Sequence, residues 1–419
     1  MSFISLILLL IAVFIRPQDW MVGFYGAPLI FILSVATIIF LLIERLANKK
    51  IAIIKGPQNI FMLGLFFSVL MSHIMHTYLG GVIAAFNLFL VNVVGFFLLL
   101  NVINTERKFK ITIWFLIVAI FILSLQGIYQ AKYGYGWAGQ PLYIKPDAPS
   151  GRITWIGIFN DPNDLSLTFV IAVSLLIAFL FQKGSILAKI VSMFFLGYLL
   201  YGIYLTNSRG GILALIVMLF FFFIKRSRWF IFGAITGVIF TSFIFIFGPS
   251  RMALMSTDEA SAYSRIDLWY EGLQMMKSNP LFGIGYGMFM DFAPQTAHNS
   301  FVLAGAELGL IGLFFFMGLI YISFKQLSAI QKSQSALKVY AYGLQAGLIG
   351  FCAAAFFLSR TYIILPYMLF ALSGSLFHIA QQKDNKLQFK FSKRDVRNVA
   401  VLSIGLLGFI YLIAKIGLS

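Results

Sequence analysis

Apolar stretches of about 17–25 residues recur from one end of this chain to the other, and each is long enough to cross the hydrocarbon core of a bilayer as a helix. Thirteen runs fall at roughly 2–15, 27–44, 58–77, 80–101, 110–130, 164–182, 186–205, 209–224, 229–248, 299–324, 338–358, 361–380 and 398–417. Of the 419 residues 60% are hydrophobic and only 11% charged, where soluble domains carry about 25% charged residues. The pattern predicts an all-α polytopic membrane protein with about 12–13 transmembrane helices. A porin-like barrel is excluded, because its strands would alternate over short segments. The first run, 2–15, is short and has no basic residue before it. A cleaved signal peptide normally has a basic region there, so the run reads as a membrane helix. The single cysteine, Cys352, rules out an internal disulfide and a cysteine zinc cluster, and its place in an apolar helix reads as packing.

The net charge of +17 suggests nucleic acid until its distribution is followed. With the N-terminus in the cytoplasm, the inner loops are 44–55, 104–110, 183–189, 225–228, 325–338 and 383–397. All but ten of the 31 Lys and Arg lie in them, and all but four of the 14 acids lie outside them. This is the positive-inside pattern of a multi-pass membrane protein. It reports topology, and no nucleic-acid partner is implied.

The chain then divides into N-terminal helices at 1–130, an outer loop at 131–163, helices at 164–248, a large outer segment at 249–298 and C-terminal helices at 299–419. The inner loops are short and Lys-rich. The two long outer segments are rich in Gly, Pro, Trp and Tyr, and loops of such length are often functional. In 249–298, Ser264 followed by Asp267 reads as a helix N-cap. Ile266, Trp269, Leu273 and Met276 then give one apolar face. A short amphipathic helix on the outer membrane surface is expected, ended by Asn279-Pro280, with Arg265 in its first turn. A cation there opposes the helix dipole. "GIGYG" (283–287) lacks the strand–helix unit of a dinucleotide site and reads as a flexible turn.

Several polar residues stand at the outer ends of apolar helices. Arg209 lies in "TNSRGG", Arg360 in "LSRTY" and His298 in "TAHNSF". Arg152 precedes the "NDPND" cluster, with Asn160, Asp161, Asn163 and Asp164. Each has a plain alternative. A lone Arg at a helix end is usually a snorkelling anchor, and Asp and Asn are favoured helix starters. Together, several arginines and one histidine at neighbouring helix mouths suit a phosphate or pyrophosphate on a lipid, since Arg contacts phosphate bidentately. Glu307 lies about two turns into an apolar run, where an acid is costly and needs a partner or a function; it could orient His298 or pair with an Arg, and the structural pairing is expected. His73 and His76 have i,i+3 spacing but too few companions to hold a metal. They read as interfacial, as does His378. No metal site and no cofactor are expected.

Taken in order, "NSRGG", then "R…W…G……NPLFGIGYGMF", then "HNSFVLAGAELGLIGL" resemble the O-antigen ligase superfamily, which also holds O-antigen polymerases and protein O-oligosaccharyltransferases. The similarity covers about 150–375. "FIRPQDW" (14–20) and "FNDPNDLSL" (159–167) resemble ligase-like proteins found beside exosortase systems. The resemblance implies a metal-independent, inverting glycosyltransferase of the bacterial inner membrane. Its donor would be a glycan on undecaprenyl pyrophosphate at the periplasmic face, and its acceptor lipid A–core, another glycan or a protein. By motif, the catalytic residues carry over to Arg209, Arg265 and His298. Arg152, Arg360, Asn160 and Asp161 are further candidates for pyrophosphate binding.

The chemistry agrees with the residue types. Breaking a glycosyl–pyrophosphate bond puts negative charge on the leaving group, which fixed guanidinium groups stabilise. The acceptor hydroxyl must lose a proton, and His is the side chain suited to this near neutral pH. A secondary transporter is the rival from another class, but no inverted repeat or paired broken helices are found, and the charges avoid the midplane.

Overall fold

The computed structural model describes residues 1–48, 54, 56–145, 148–182, 186–226, 259–333, 335–384, 387–389 and 391–417. The helix expected at 229–248, and Arg251, lie outside them. The other twelve expected runs each coincide with a helix. In chain order these are α1 (Ser2–Phe14), a single turn α2 (Pro17–Trp20), α3 (Leu29–Ala47), α4 (Pro57–Ile74), α5 (Leu79–Val102), α6 (Glu106–Tyr133), α7 (Pro162–Leu180), α8 (Ile186–Leu205) and α9 (Arg209–Arg226). They continue as α10 (Glu259–Ser278), a short α11 (Phe289–Phe292), α12 (Ser300–Lys332), α13 (Lys338–Ala355), α14 (Ile364–Lys383) and α15 (Lys393–Gly417). Nine of the described helices are long and apolar enough to cross a membrane. The segment 131–163 contributes the two described strands, β1 (Tyr143–Lys145) and β2 (Ala148–Arg152), which form an antiparallel ribbon.

Local chemistry sets the helix ends. Thr105 accepts the Lys108 amide at the start of α6, and Gly134 closes that helix at φ 84°. α7 begins with Asp161 as cap and Pro162 in the first turn, where a missing N–H costs nothing.

α14 and α7 sit deepest among the candidate spans, with 83% and 78% of their apolar windows buried, against only 6% for peripheral α3. α13 lies against α7 through a row of glycines. A Cβ at Gly343 would come within 2.9 Å of Leu175, and one at Gly347 within 3.0 Å of Ser174 Oγ. Ser174 Oγ donates to the Gly343 carbonyl at 2.9 Å across this contact. Small residues that let backbones approach are the means by which membrane helices gain packing without a hydrophobic drive between them.

α12 is broken at Gly309, whose φ of 67° and ψ of −169° are not helical. A broken helix leaves amides and carbonyls that lipid cannot satisfy. The segment after α10 supplies them. Leu310 and Ile311 donate to the carbonyls of Pro280 and Leu281 at 2.8 and 3.3 Å, while Ile284 and Gly285 donate to those of Ala306 and Glu307 at 2.9 and 3.1 Å. The fit leaves no room for side chains. A Cβ at Gly309 would lie 2.3 Å from the Leu281 carbonyl oxygen, and one at Gly283 would lie 2.3 Å from the Glu307 backbone.

Gly309→Val should therefore cost about 4 kcal/mol or more and abolish folded yield. Gly408→Val, at a glycine with nothing within 4 Å, should elute as wild type from size-exclusion chromatography in detergent. Normal elution of Gly309→Val would contradict this account of the break.

Candidate active site at the helix mouths

The starts of α7, α9 and α12 and the turn between α13 and α14 meet at one end of the bundle. Asn163 joins the first two. Its amide N–H and its Nδ2 both donate to Asp161 Oδ1 at 2.8 Å. Its Oδ1 accepts from Arg152 Nη2 at 3.0 Å and from Ser208 Oγ at 2.7 Å. Ser208 in turn caps α9 by accepting the Gly211 amide at 3.0 Å. Arg152, 3% exposed, also donates through Nε to the Thr206 carbonyl at 2.8 Å. Gly211 is required here, because a Cβ would fall 1.9 Å from Ser166 Oγ on α7.

Arg360 carries the network onward. Its Nη2 donates to Asp161 Oδ2 at 2.5 Å, and its Nε pairs with Asp164. Burial works against the Arg360 charge, but the carboxylates of Asp164 and Asp161 offset it and hold its pKa above the ordinary value. Its amide donates to Ser300 Oγ at 2.7 Å, Ser300 Oγ donates to the Leu358 carbonyl at 2.6 Å, and Thr361 Oγ1 donates to the Ser300 carbonyl at 2.7 Å. Asn299 caps α12 by accepting the amides of Phe301 and Val302 at 2.9 and 3.1 Å. His298, directly before it, is held at φ 48°. A side chain in that left-handed region costs about 1–3 kcal/mol, and such strain clusters at functional sites.

α10 reaches the same place. A Cβ at Gly272 would meet Val302, and one at Gly305 would meet Met276, so α10 and the start of α12 run side by side in the same direction. Trp269 packs edge-on against Phe356 with ring centroids 5.3 Å apart. Arg265 lies about one turn before Trp269 on the same helix. Arg209, Arg265 and His298 are each partly exposed, whereas Arg152 is buried. Asn160 is exposed at the edge.

Residues 194–317 match the O-antigen ligase family. The matched stretch runs from the middle of α8 through α9, α10 and α11 into the first half of α12, and contains Arg209, Arg265 and His298. It is well under half of the chain. No curated protein is matched by the chain.

Within this ligase-family stretch three expectations need correction. α10 already runs through Glu259, because Ala and Glu before Ser264 continue the helix readily. Ser264 is therefore interior rather than a cap, and Arg265 lies beyond the first turn. "GIGYG" is not a loose turn. Its glycines at 283, 285 and 287 have positive φ, and His76 Nε2 donates to the Gly283 carbonyl at 2.8 Å while His73 Nε2 donates to that of Tyr286 at 3.0 Å. The Tyr286 amide donates to Ser72 Oγ at 3.0 Å. The two histidines read as interfacial thus hold the segment that mends α12. His73 sits in the last turn of α4 and His76 in the turn just beyond it, and their closeness in sequence was the available signal.

Glu307, 2% exposed, accepts the Phe289 amide at 3.1 Å through Oε1 and faces the Tyr362 phenol. Its pairing is with backbone and tyrosine rather than with an arginine. Burial, and beyond it the Glu307 carboxylate, push the Tyr286 phenol up to about 12 and the Tyr362 phenol well above its ordinary range. Among the described residues no group of three or more His, Cys, Asp or Glu is placed to hold a metal ion.

Arg360→Met is expected to cost about 3–5 kcal/mol, because it leaves Asp164 buried without its cation. Asp161→Asn should cost less, its side chain being 41% exposed. Thermal unfolding of the two purified variants in detergent checks the order, and a smaller loss for Arg360→Met would contradict it.

Proposed function

We propose that this chain is a glycosyltransferase of O-antigen ligase type, moving a glycan from undecaprenyl pyrophosphate to an acceptor hydroxyl at the periplasmic face of the bacterial inner membrane. The observation that supports the reading is the single hydrogen-bonded network at the helix mouths, in which Ser208 and Ser300 take part, next in sequence to Arg209 and two residues from His298. The positive-inside charge pattern supports a periplasmic position for that network.

In the proposed reaction His298 takes the proton of the acceptor hydroxyl. The oxygen attacks the anomeric carbon from the face opposite the pyrophosphate, so the centre inverts. The carbon–oxygen bond to the pyrophosphate breaks, and the lipid pyrophosphate leaves with the bonding electrons. Arg209 and Arg265 stabilise the charge it gains. Arg152 and Arg360 have donors committed to Thr206, Asn163, Asp161 and Asp164, and act as the frame that fixes the helix mouths. The donor is already activated, so neither nucleotide nor metal is required, and chelator should leave transfer by the purified protein unchanged.

The test is the surface glycan of a strain lacking the gene. Loss of attached polymer with lipid-linked polymer accumulating is expected. Attachment of a single repeat unit would make the protein a polymerase. Glycan retained on the cytoplasmic leaflet would favour a transporter and contradict the proposal.

A further inference from the structure

Past the end of α6 the chain forms a tight hairpin that the proposed reaction does not use. Gly134 closes the helix at φ 84°. The Gly136 amide donates to the Gln140 carbonyl at 2.8 Å, the Leu142 amide donates to the Gly134 carbonyl at 3.2 Å, and Tyr135 bridges to Pro141. A Cβ at Gly136 would lie 2.1 Å from Gln140 Nε2. Glutamines fix the hairpin to the bundle. Gln130 Nε2 donates to the Pro141 carbonyl at 2.9 Å, and Gln140 Nε2 donates to Gln126 Oε1 at 2.9 Å. Gln126 Nε2 donates to the Thr154 carbonyl at 2.9 Å, and Gln130 Oε1 accepts the Thr154 amide at 2.8 Å. Gln126 and Gln130 are fully buried. What they hold is a row of rings. Tyr133, Tyr135, Trp137 and, on β1, Tyr143 are all exposed, the first two by half. Tyr129 packs against Tyr133 and Tyr135 with ring centroids 4.5 and 5.9 Å apart. Tyr143 is the register partner of Arg152, whose guanidinium lies 5.9 Å from its ring centroid. Arg152 belongs to the helix-mouth network, so the row begins at the candidate site. Pro141, opposite Tyr135, is two residues further on, about 7 Å of extended chain.

We infer that Tyr133, Tyr135, Trp137 and Tyr143 form a platform that binds saccharide units of the glycan chain, beyond the sugar that reacts. The inference rests on the proposed transfer reaction only in taking a saccharide as the ligand. A pyranose has an apolar face of C–H groups that rests on an aromatic ring, and a rim of hydroxyls that a phenol or an indole N–H can bond. Lipid contact does not account for the row. The stretch of α6 from Lys110 to Lys132 already spans about 33 Å, the thickness of the hydrocarbon core, so the rings that follow stand beyond the acyl chains. An aromatic anchor needs only to lie at the membrane interface. These rings are gathered on one short ribbon and held in place beforehand by buried amides, and rings fixed in advance lose little freedom on binding.

The experiment uses the full chain in nanodiscs and, as probe, the surface polysaccharide of the parent bacterium, freed of lipid by mild acid. Wild-type protein should bind it, and the double variant Tyr133→Ala, Trp137→Ala should bind it about tenfold or more weakly. The double variant Tyr133→Phe, Trp137→Phe keeps both rings and should retain most of the affinity. Tyr25→Ala removes a ring that is 74% exposed on another turn and should bind as wild type. No binding by the wild type, equal binding by the alanine pair, or a loss as large in the phenylalanine pair or in Tyr25→Ala overturns the platform. With lipid donors carrying one repeat unit or many, KM of the alanine pair should rise about tenfold more for the long glycan, and an equal rise for both overturns it as well. Ring-dependent binding by a protein that transfers from no lipid donor supports the platform and contradicts the transfer reaction.

Discussion

His298→Ala is expected to cut glycan transfer by about 10²–10⁴-fold while leaving lipid-donor binding within about twofold of wild type. The division follows from the role assigned to the ring. It serves the proton of the acceptor and makes no contact that holds the pyrophosphate. The Asn299 cap fixes the backbone on its α12 side, so truncating the ring should leave the start of α12 in place. Removing a left-handed side chain of this size does not relieve the strain, because alanine has a Cβ too. Donor binding and transfer, measured on the same preparation, give the answer. Loss of donor binding as complete as in arginine variants, or wild-type transfer across about pH 6–9, would end the assignment of His298 as base.

The arginines should fail differently. Arg209→Ala and Arg265→Ala are each expected to lower transfer by about 10²–10³-fold and to weaken donor binding. Lysine should restore only part of this, because a point charge cannot reproduce a bidentate fork. Arg209 heads α9, whose start is fixed independently by the Ser208 cap and by Gly211 against Ser166, so the variant tests charge rather than folding. Arg265 stands on a helix braced by Trp269 against Phe356. The double variant should lose less than the product of the single losses, since both act on one leaving group. Steady-state kinetics with a defined lipid donor checks this, and full rescue by lysine at either position would contradict bidentate contact.

How far the sequence foretold the molecule depended on the kind of signal. Apolar length reports spans directly, so the helices at 58–77, 186–205 and 338–358 were legible from hydropathy. The helix-mouth motifs stood out as a set in the sequence, and of them the structure joins Arg152, Asp161 and Arg360 through Asn163 and its neighbours. Their connections were not legible. Asn163 read as one more capping residue, yet it accepts from both Arg152 and Ser208. That role needs two helix starts side by side, and periodicity says nothing of neighbours in space. The break in α12 was hidden for the same reason. "GAELGLIGL" continues an apolar pattern through Gly309, and only the segment at 280–285 reveals why a glycine stands there. Glu307 was recognised as anomalous, but its partner, a backbone amide donated from the far side of that segment, carries no mark in sequence.

The central claim is direct, inverting transfer from a polyprenyl pyrophosphate. One measurement addresses it: purified wild-type protein in proteoliposomes with a defined lipid-linked glycan, an acceptor and excess chelator, followed to product. The account predicts one polyprenyl pyrophosphate released for each glycan attached, with the anomeric configuration of the new bond opposite to that in the donor. Retained configuration, dependence on added metal, or movement of intact lipid-linked glycan between leaflets without transfer would contradict it.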